Sequence, residues 1–227
     1  MIVNRYCGSG LEAIAIASQR IHAGMADVLI AGGTESMSLV PVMGTKTVLN
    51  YKIATEHPTY YTSMGLTAEQ VSEKYKISRE DQDEFAYNSH KKAIDAIDSG
   101  KFKDEIVPIS VNETYVDENG KKRSREFVVD TDEGPRRDTS MEVLAKLKPV
   151  FANKGSVTAG NSSQTSDGAA FVMIMSEKMV KELNLEPIAR LVSYSVAGVE
   201  PRIMGIGPVE AVPKALDKAG LKLNDID

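Results

Sequence analysis

The sequence predicts an α/β fold that is interrupted by a long inserted segment. Residues 11–23 have the apolar pattern of a buried helix, and residues 26–33 follow as a short buried strand that ends in a glycine pair. A helix that leads directly into a strand is typical of α/β proteins. The same character returns after an irregular middle stretch rich in threonine, tyrosine and methionine. The predicted boundaries are therefore 1–36, 37–155 and 156–227.

Two helices are predicted inside the inserted segment from their capping signals. Thr67 and Gln70 form a capping-box pattern, which predicts a helix that starts just after Thr67. Ser78 precedes a longer helix that is acidic in its first turns and more basic later, and Gly100 marks its end. The segment is therefore expected to be partly helical.

A β-hairpin is predicted to follow these helices. Residues 105–111 and 125–130 have the composition of strands, and an Asn-Gly pair at positions 119 and 120 lies between them. The inserted segment is thus expected to combine helices with one antiparallel ribbon.

The last part of the chain returns to alternating strands and helices. Residues 169–175 predict a buried strand, Ser176 a helix cap, and residues 188–199 another strand. Pro208 near a first turn and Gly220 at a helix end frame the last predicted helix.

Composition narrows the class of protein. The chain has 227 residues, 42% hydrophobic and 26% charged, and a net charge of -5 with no basic cluster. These values fit a globular protein and argue against a nucleic-acid groove or a polybasic membrane surface. A single cysteine excludes an internal disulfide framework and favours a reducing compartment, for which we predict the cytoplasm. We expect no membrane span and no signal peptide at the N-terminus.

The only cysteine, Cys7, lies in the stretch "NRYCGSG". A lone cysteine often serves merely as a small buried hydrophobe. Here Gly8, Ser9 and Gly10 allow a sharp turn, and a helix begins directly after them. The positive end of that helix favours a thiolate, and free N–H groups could hold an oxyanion. The pattern therefore also predicts a nucleophile for acyl transfer, above all thioester exchange.

None of the three histidines is well placed as a base for Cys7. His22 lies several turns along the same helix, and His57 lies in the irregular segment before a proline. His90 lies in a polar helix, where we expect it to be solvated. A Cys/His hydrolase is therefore not favoured.

A resemblance to the thiolases, the acyl-CoA acyltransferases, follows from motifs along nearly the whole chain. The family order is kept by "NRYCGSGLEAI", "AGGTESMS", "MGLTAEQVSEKYKISREDQDEFA", "FKDEIVPI", "TSMEVLAKLKPVF", "VTAGNSSQTSDGAA" and "MGIGPVEAVPKAL". The resemblance implies a layered αβαβα fold of two βαβαβαββ halves, incomplete in this chain. Residues 1–36 would be the late part of the first half, 37–155 the loop domain that covers CoA, and 156–227 the end of the first half and the start of the second.

The resemblance also implies site residues. Cys7 occupies the position of the acylated nucleophile, Ser163 that of a serine on the pantetheine arm, and Met64 that of a methionine in the acyl pocket. Arg136 matches an arginine near the adenine nucleotide, although the adjacent Arg137 leaves that register open. The plainer alternatives are a turn serine, a core methionine and solvated charge.

The implied activity is thiolytic cleavage of 3-ketoacyl-CoA through an acyl-cysteine, as in fatty acid β-oxidation. CoA is a substrate, and no cofactor or metal is implied. Biosynthetic members carry a histidine where this chain has Ser63, and the segment "DEGPRRDTSMEVLAKLKP" also favours the degradative type. The family's Asn-Glu-Ala-Phe, Gly-His-Pro and Cys-x-Gly segments do not occur after Cys7, so we expect little or no turnover from the chain as given.

Three alternatives remain at this point. They are an acetoacetyl-CoA-forming biosynthetic thiolase, a non-catalytic protein that binds CoA esters, and a condensing enzyme of the ketoacyl synthase kind. The last usually has another cysteine context and lacks this loop-domain signature. The resemblance further implies a homodimer or homotetramer, with no nucleic acid or membrane as partner.

Overall fold

The first helix, α1, spans Ser9–His22 in an alanine-rich stretch, close to the predicted 11–23. The structure is a computed structural model that describes residues 1–40, 44 and 46–227. A left-handed Gly24, with φ of 69°, follows the end of the helix. Only Ala15 and Ala17 of α1 are buried, so the prediction of a helix buried all round is wrong. The middle of the helix, residues 12–18, is half-buried or buried, whereas most residues near its two ends are exposed.

The described chain divides into two compact units. The first comprises Met1–Ser63 together with Thr165–Asp227, and the second is Met64–Gln164. The second unit shares residues 64–155 with the predicted inserted domain. Positions 41–43 and 45 of that predicted domain lie outside the described residues.

Helices and strands of the first unit follow most of the local signals. The strands are β1 (Val28–Glu35) and, at the other end of the unit, β4 (Gly168–Met175). The helices after α1 are α2 (Tyr51–Glu56), α6 (Glu177–Glu182) and α7 (Gly207–Ala219). Ser176 accepts a hydrogen bond from the Met179 N–H, which confirms the predicted cap of α6. Pro208 and the left-handed Gly220 bound α7 as predicted.

β1 and β4 form an antiparallel two-stranded sheet, with Val28 opposite Met175 and Glu35 opposite Gly168. Helix α1 contacts both strands. A Cβ at Gly32 would lie 2.7 Å from the Cα of Phe171, so this glycine permits close strand approach. The predicted burial of both strands is wrong, because Phe171 and most of their other side chains remain exposed.

Residues 188–199 form no strand in the structure, contrary to the prediction. The apolar run has the right composition, but a strand exists only where a neighbour accepts and donates its backbone hydrogen bonds. Within the described residues the strand ladders join β1 to β4 and Ile109–Val116 to Lys122–Val129. Composition alone therefore overestimated this element.

The second unit contains the predicted helices and hairpin. Its elements are α3 (Met64–Tyr75), α4 (Arg79–Asp98), β2 (Ile109–Val116), β3 (Lys122–Val129) and α5 (Met141–Ala145). β2 and β3 pair antiparallel across a turn with a left-handed Gly120, which confirms the predicted hairpin. Ser78 and Asp81 form a reciprocal capping box at the start of α4. Gly100, also left-handed, follows its end.

Thr67 is not a helix cap, contrary to the prediction. Helix α3 begins three residues earlier, at Met64, and Thr67 lies inside it with a side chain that is 1% exposed. Its hydroxyl has no hydrogen-bond partner among the described residues. Packing against the interior of the unit therefore outweighs the local capping pattern.

Candidate active site

The turn that carries Cys7 immediately precedes α1. Residues Tyr6–Gly8 form a single 3₁₀ turn, and Cys7 is exposed, so it is not a buried hydrophobe in this chain. Tyr6 has a φ of 49°, in the left-handed region that a residue with a side chain rarely adopts. Such backbone strain persists only where surrounding contacts maintain it, and it is often found at functional sites. The backbone therefore presents the thiol at the surface.

Short polar contacts hold this turn, which we call the Cys7 turn (residues 4–9). The Tyr6 N–H donates to Oδ1 of Asn4 at 2.9 Å, and the Ser9 hydroxyl donates to the Tyr6 carbonyl at 2.7 Å. The Arg5 N–H donates in turn to Ser9 Oγ at 2.8 Å. The Tyr6 carbonyl is thereby bonded to the first residue of α1, and the Tyr6 N–H to the Asn4 side chain before the turn.

The start of α1 lies directly after Cys7, but two of its backbone N–H groups are already used, contrary to the expectation of free donors there. The Gly8 N–H donates to the Arg5 carbonyl at 3.0 Å, and the Ser9 N–H donates to the Tyr6 carbonyl. Gly8 occupies the N-cap position and supplies no side chain to accept from the first N–H groups of the helix. A helix start of this kind can donate to an oxygen atom that carries negative charge. The local arrangement is therefore compatible with an oxyanion that forms when Cys7 attacks a carbonyl.

A three-residue polar cluster flanks the Cys7 turn. Nη1 of Arg5 lies 2.6 Å from Oε2 of Glu12, and the Tyr194 hydroxyl donates to the same oxygen at 2.5 Å. The hydrogen bond from Tyr194, followed by that from Arg5, lowers the pKa of Glu12. The same bond to Glu12 raises the pKa of Tyr194, with burial as a second cause. The cluster ties the Cys7 turn to residue 194, far along the chain.

The three histidines lie in separate settings. His22 is the last residue of α1, about 20 Å from its start at 1.5 Å per residue. The ring of His57 lies against that of Tyr60, with 5.7 Å between centroids. His90 accepts the Arg136 N–H at its Nδ1 over 3.1 Å, so the expectation that His90 is merely solvated is wrong. The loop after β3 therefore contacts His90 through the Arg136 N–H.

Cys7 belongs to the first unit, whereas Met64, Arg136 and Ser163 belong to the second. Met64 is the first residue of α3 and is 57% exposed, so it is not a core methionine in this unit. The next residue, Gly65, packs so closely against the ring of Phe151 that a Cβ there would overlap it. The Phe151 ring therefore packs on Gly65, the residue next to Met64 in the first turn of α3.

Arg136 and Arg137 have different partners. Arg137 donates with both terminal nitrogens to Asp98 on α4, at 2.6 and 2.8 Å. Arg136 pairs with Asp138, two residues on, and its side chain is 69% exposed. Their hydrogen bonds lower the pKa of Asp98 and Asp138 respectively. Arg137 therefore links the loop to α4, whereas the Arg136 side chain extends from the loop into solvent.

Ser163 is the last residue of a segment with many polar contacts, residues 155–163, which we call the Ser163 segment. Its backbone and side chains bind Glu69 of α3 and Asp83 of α4. Arg79, which pairs with Asp83, also donates to the carbonyls of Leu144 in α5 and of Leu147 just after that helix. The Ser163 hydroxyl itself lies 3.3 Å from the Gln164 carbonyl and is at the exposed end of the segment.

The sequence did not reveal the side chains that stabilise the Cys7 turn and the Ser163 segment. Glu12 lies within the apolar helix pattern around Cys7, and an acidic residue there is a weak local signal. Asp83 could have been noticed as one carboxylate among many on α4, but its burial cannot be read from the sequence. Their partners Tyr194 and Asn161 are 182 and 78 residues away. Such pairings become visible only in the folded chain.

The described ranges contain neither a metal-binding cluster nor a membrane-spanning helix. Nowhere in residues 1–40, 44 and 46–227 do three or more histidine, cysteine, aspartate or glutamate side chains gather as a metal site would require. None of the helices described is long and apolar enough to cross a bilayer.

Family models match both parts of the chain. The model described as "Thiolase, N-terminal domain" matches residues 1–178, and "Thiolase, C-terminal domain" matches residues 185–227. A 3-ketoacyl-CoA thiolase of Bacillus subtilis (strain 168) is 54% identical over 99% of this chain and 57% of its own length. An acetyl-CoA acetyltransferase of Pseudomonas aeruginosa is 46% identical over 100% of this chain and 59% of its own.

Solved structures agree with the sequence comparisons. The acetyl-CoA acetyltransferase of Bacillus anthracis matches with a TM-score of 0.83 and 43% identity over 99% of this chain and 58% of that one. The dimeric peroxisomal thiolase of Saccharomyces cerevisiae matches with a TM-score of 0.86 and 38% identity, over 99% and 56%. The chain thus has the thiolase fold over the part it spans, somewhat more than half the length of these relatives. It belongs to the thiolase family.

Proposed function

We propose that the protein to which this chain belongs is an acyl-CoA acyltransferase that cleaves 3-ketoacyl-CoA with CoA. The observation that carries the proposal is the exposed Cys7 on a strained turn at the start of α1, in a chain of the thiolase family. The most similar relative described above, at 54% identity, is named 3-ketoacyl-CoA thiolase. That name and Ser63 support the degradative direction, which fits fatty acid β-oxidation in lipid metabolism.

The reaction proceeds in two halves with a covalent intermediate. The Cys7 thiolate attacks the 3-keto carbonyl, the bond between C2 and C3 breaks, and the leaving acetyl-CoA carbanion takes up a proton. The thiol of a second CoA then gives up its proton and attacks the acyl-cysteine, which releases the shortened acyl-CoA and the free cysteine. The positive end of the α1 dipole, directly after Cys7, would favour the oxyanion in the first half.

CoA and the acyl chain are assigned to the second unit. Ser163 would contact the pantetheine arm, Met64 would line the acyl pocket, and Arg136 would lie near the adenine nucleotide. The exposure of Met64 and Arg136 supports this assignment, since a ligand can reach both. No cofactor or metal takes part in the proposed reaction, in which CoA is a substrate.

An acetoacetyl-CoA-forming thiolase is the second candidate. It is favoured by the acetyl-CoA acetyltransferase names of the Pseudomonas aeruginosa and Bacillus anthracis relatives. A non-catalytic CoA-ester-binding protein is the third candidate, and an exposed cysteine on a strained turn gives it little support. We further propose a homodimer or homotetramer, because one solved relative is titled dimeric, and a cytoplasmic location, because the single cysteine is free.

A thiolysis assay tests the proposal. CoA is supplied with acetoacetyl-CoA or a medium-chain 3-ketoacyl-CoA to this chain, to the chain extended to its native flanks, and to the extended Cys7→Ala variant. We expect turnover from the extended protein and a loss of about a thousandfold or more in Cys7→Ala. Preference for the longer substrate supports the degradative direction. A folded extended protein with no turnover contradicts the proposal and favours the binding protein.

A further inference from the structure

We propose that Glu69 and Asp83 are positioning residues for the Ser163 segment, and that they set the affinity for CoA without touching it. The inference rests on the proposed function, because it takes Ser163 as a contact of the pantetheine arm. Both carboxylates come from helices, α3 and α4, that precede the segment by about 80 residues. Glu69 accepts hydrogen bonds from Ser156, and Asp83 accepts one from Asn161. All four residues lie in the second unit.

Glu69 fixes the start of the segment through its backbone. Its Oε1 accepts the Val157 N–H at 2.9 Å, and its Oε2 accepts the Ser156 N–H at 2.9 Å and the Ser156 hydroxyl at 3.0 Å. Hydrogen bonds to an ionised carboxylate are about twice as strong as neutral ones. A Cβ at Gly155 would overlap the carboxylate, so the close approach depends on glycine there. Two successive peptide planes are thereby oriented by one side chain.

Asp83 fixes the end of the segment through Asn161. The Asp83 side chain is 3% exposed and accepts from Nδ2 of Asn161 at 2.9 Å and from Nε of Arg79 at 2.7 Å. The amide oxygen of Asn161 accepts the Thr158 N–H at 2.7 Å, so Asn161 links the carboxylate to the backbone. A buried carboxylate with both a cation and an amide is costly to disturb. Asp83 therefore restrains residues 158–161, in the later part of the segment, as Glu69 restrains its start.

The network ends one residue before the predicted ligand contact. The Ser162 hydroxyl donates to the Thr158 carbonyl at 2.6 Å, which closes the turn on itself. The Ser163 hydroxyl, one position on, is exposed and has a long contact of 3.3 Å to the next carbonyl. The segment is therefore rigid up to the hydroxyl that faces solvent, which is the arrangement expected of a preorganised binding group.

The test measures CoA binding by calorimetry, together with KM and kcat for thiolysis, on the protein extended to its native flanks. Glu69→Gln keeps the shape of the side chain but turns one acceptor into a donor that faces N–H groups. We expect CoA to bind about tenfold more weakly, KM for CoA to rise by a similar factor, and kcat to change by less than about twofold. Glu73→Gln, an exposed glutamate on the same helix, is the matched control and should change none of these values.

Amide hydrogen exchange supplies a readout of the local mechanism. Exchange at Ser156 and Val157 should become faster in Glu69→Gln, since their N–H groups lose an ionised acceptor. If Glu69→Gln does not fold, Ser156→Ala removes the hydroxyl that donates to Glu69, together with its contacts to Ser72 and Gln82, and leaves both backbone bonds to Glu69 in place. It should weaken CoA binding in the same direction by a smaller factor. A lower melting temperature with unchanged CoA affinity would show a purely structural role and overturn the inference.

The outcomes separate this inference from the proposed function. Turnover that depends on Cys7, with CoA affinity equal in Glu69→Gln and wild type, overturns the inference alone. CoA binding that weakens in Glu69→Gln, in an extended protein without turnover, supports the inference and contradicts the proposed function. An extended wild type that does not bind CoA overturns the inference.

Discussion

The Cys7 turn and the Ser163 segment each present a predicted site residue at the surface, but different forces hold them. The Cys7 turn depends on exposed, mostly local contacts around a strained Tyr6. The Ser163 segment depends on two carboxylates from distant helices, one of them almost fully buried. Exposed contacts contribute little to stability, whereas a broken buried pair costs much. Damage to the second region should therefore be felt by the whole unit, and damage to the first mainly in the turn itself.

The largest effect is expected from Asp83→Ala. The substitution leaves the Arg79 guanidinium, 21% exposed, without its carboxylate and removes the acceptor of Asn161. We expect the free energy of unfolding to fall by about 3–5 kcal/mol in urea titrations. Glu84→Gln, an exposed carboxylate on the same helix, should stay within about 0.5 kcal/mol of wild type. Equal losses in the two variants would show that the buried contacts of Asp83 are not the cause, and would contradict the stronger support claimed for the Ser163 segment.

A smaller loss is expected from Gly155→Ala. The added Cβ overlaps the Glu69 carboxylate and lies 3.1 Å from the Ala152 carbonyl oxygen, so the hydrogen bonds at Ser156 must shift. We expect a loss of about 1–3 kcal/mol in the free energy of unfolding, measured by urea titration. Gly198→Ala is the control, because no atom lies within 4 Å of its added Cβ and its φ is not positive. A loss as large in the control would mean that close packing at Glu69 is not the cause.

Substitutions of the strained Tyr6 in the Cys7 turn should raise or lower stability, depending on the residue introduced. Tyr6→Gly removes a left-handed cost of about 1–2 kcal/mol but adds freedom to the unfolded chain, so stability should be unchanged or higher by up to about 1 kcal/mol. Tyr6→Val places a β-branched residue at a φ of 49° and should lower stability by about 1 kcal/mol. Urea titration of the two variants gives the comparison. Equal stability would show that the turn does not keep this conformation in solution.

The smallest effect is expected from Glu12→Gln, and it should depend on pH. The pKa of Glu12 in the folded chain is below its ordinary value of 4.5, so its charge stabilises the fold above that pH. The contribution is lost as the pH falls below 4.5 towards the lowered pKa, because the carboxylate takes up a proton. The melting temperature of wild type should therefore exceed that of Glu12→Gln at pH 7, and the difference should shrink below pH 4.5. A difference independent of pH would rule out an ionic origin.

Local signals in the sequence predicted much of the fold. Ser78, Ser176 and Gly220 were identified correctly because caps and left-handed glycines act over a few residues. Thr67 was misjudged because its burial in α3 outweighs its capping pattern. The strand at 188–199 was misjudged because pairing needs a partner that composition does not reveal.

The candidate site was predictable only in part, for a related reason. Cys7 and its glycine-rich neighbours are contiguous, so the sequence shows a possible nucleophile directly. The contacts that hold the Ser163 segment span 78 to 88 residues, from Asp83 to Asn161 and from Glu69 to Val157. No periodicity or cap reports such a pairing. The supporting residues of a site are therefore harder to read than the reactive one.

The sheet of β1 and β4 affects how this chain behaves at high concentration. The two strands pair over eight residues each, and Ile30, Phe171 and Met173 are 61–69% exposed on them. In the described chain each strand uses one edge for this pairing, so its outer N–H and C=O groups can bind a further strand. Apolar surface beside an open edge promotes association. Association of this chain at high concentration is therefore expected to involve the β1–β4 sheet.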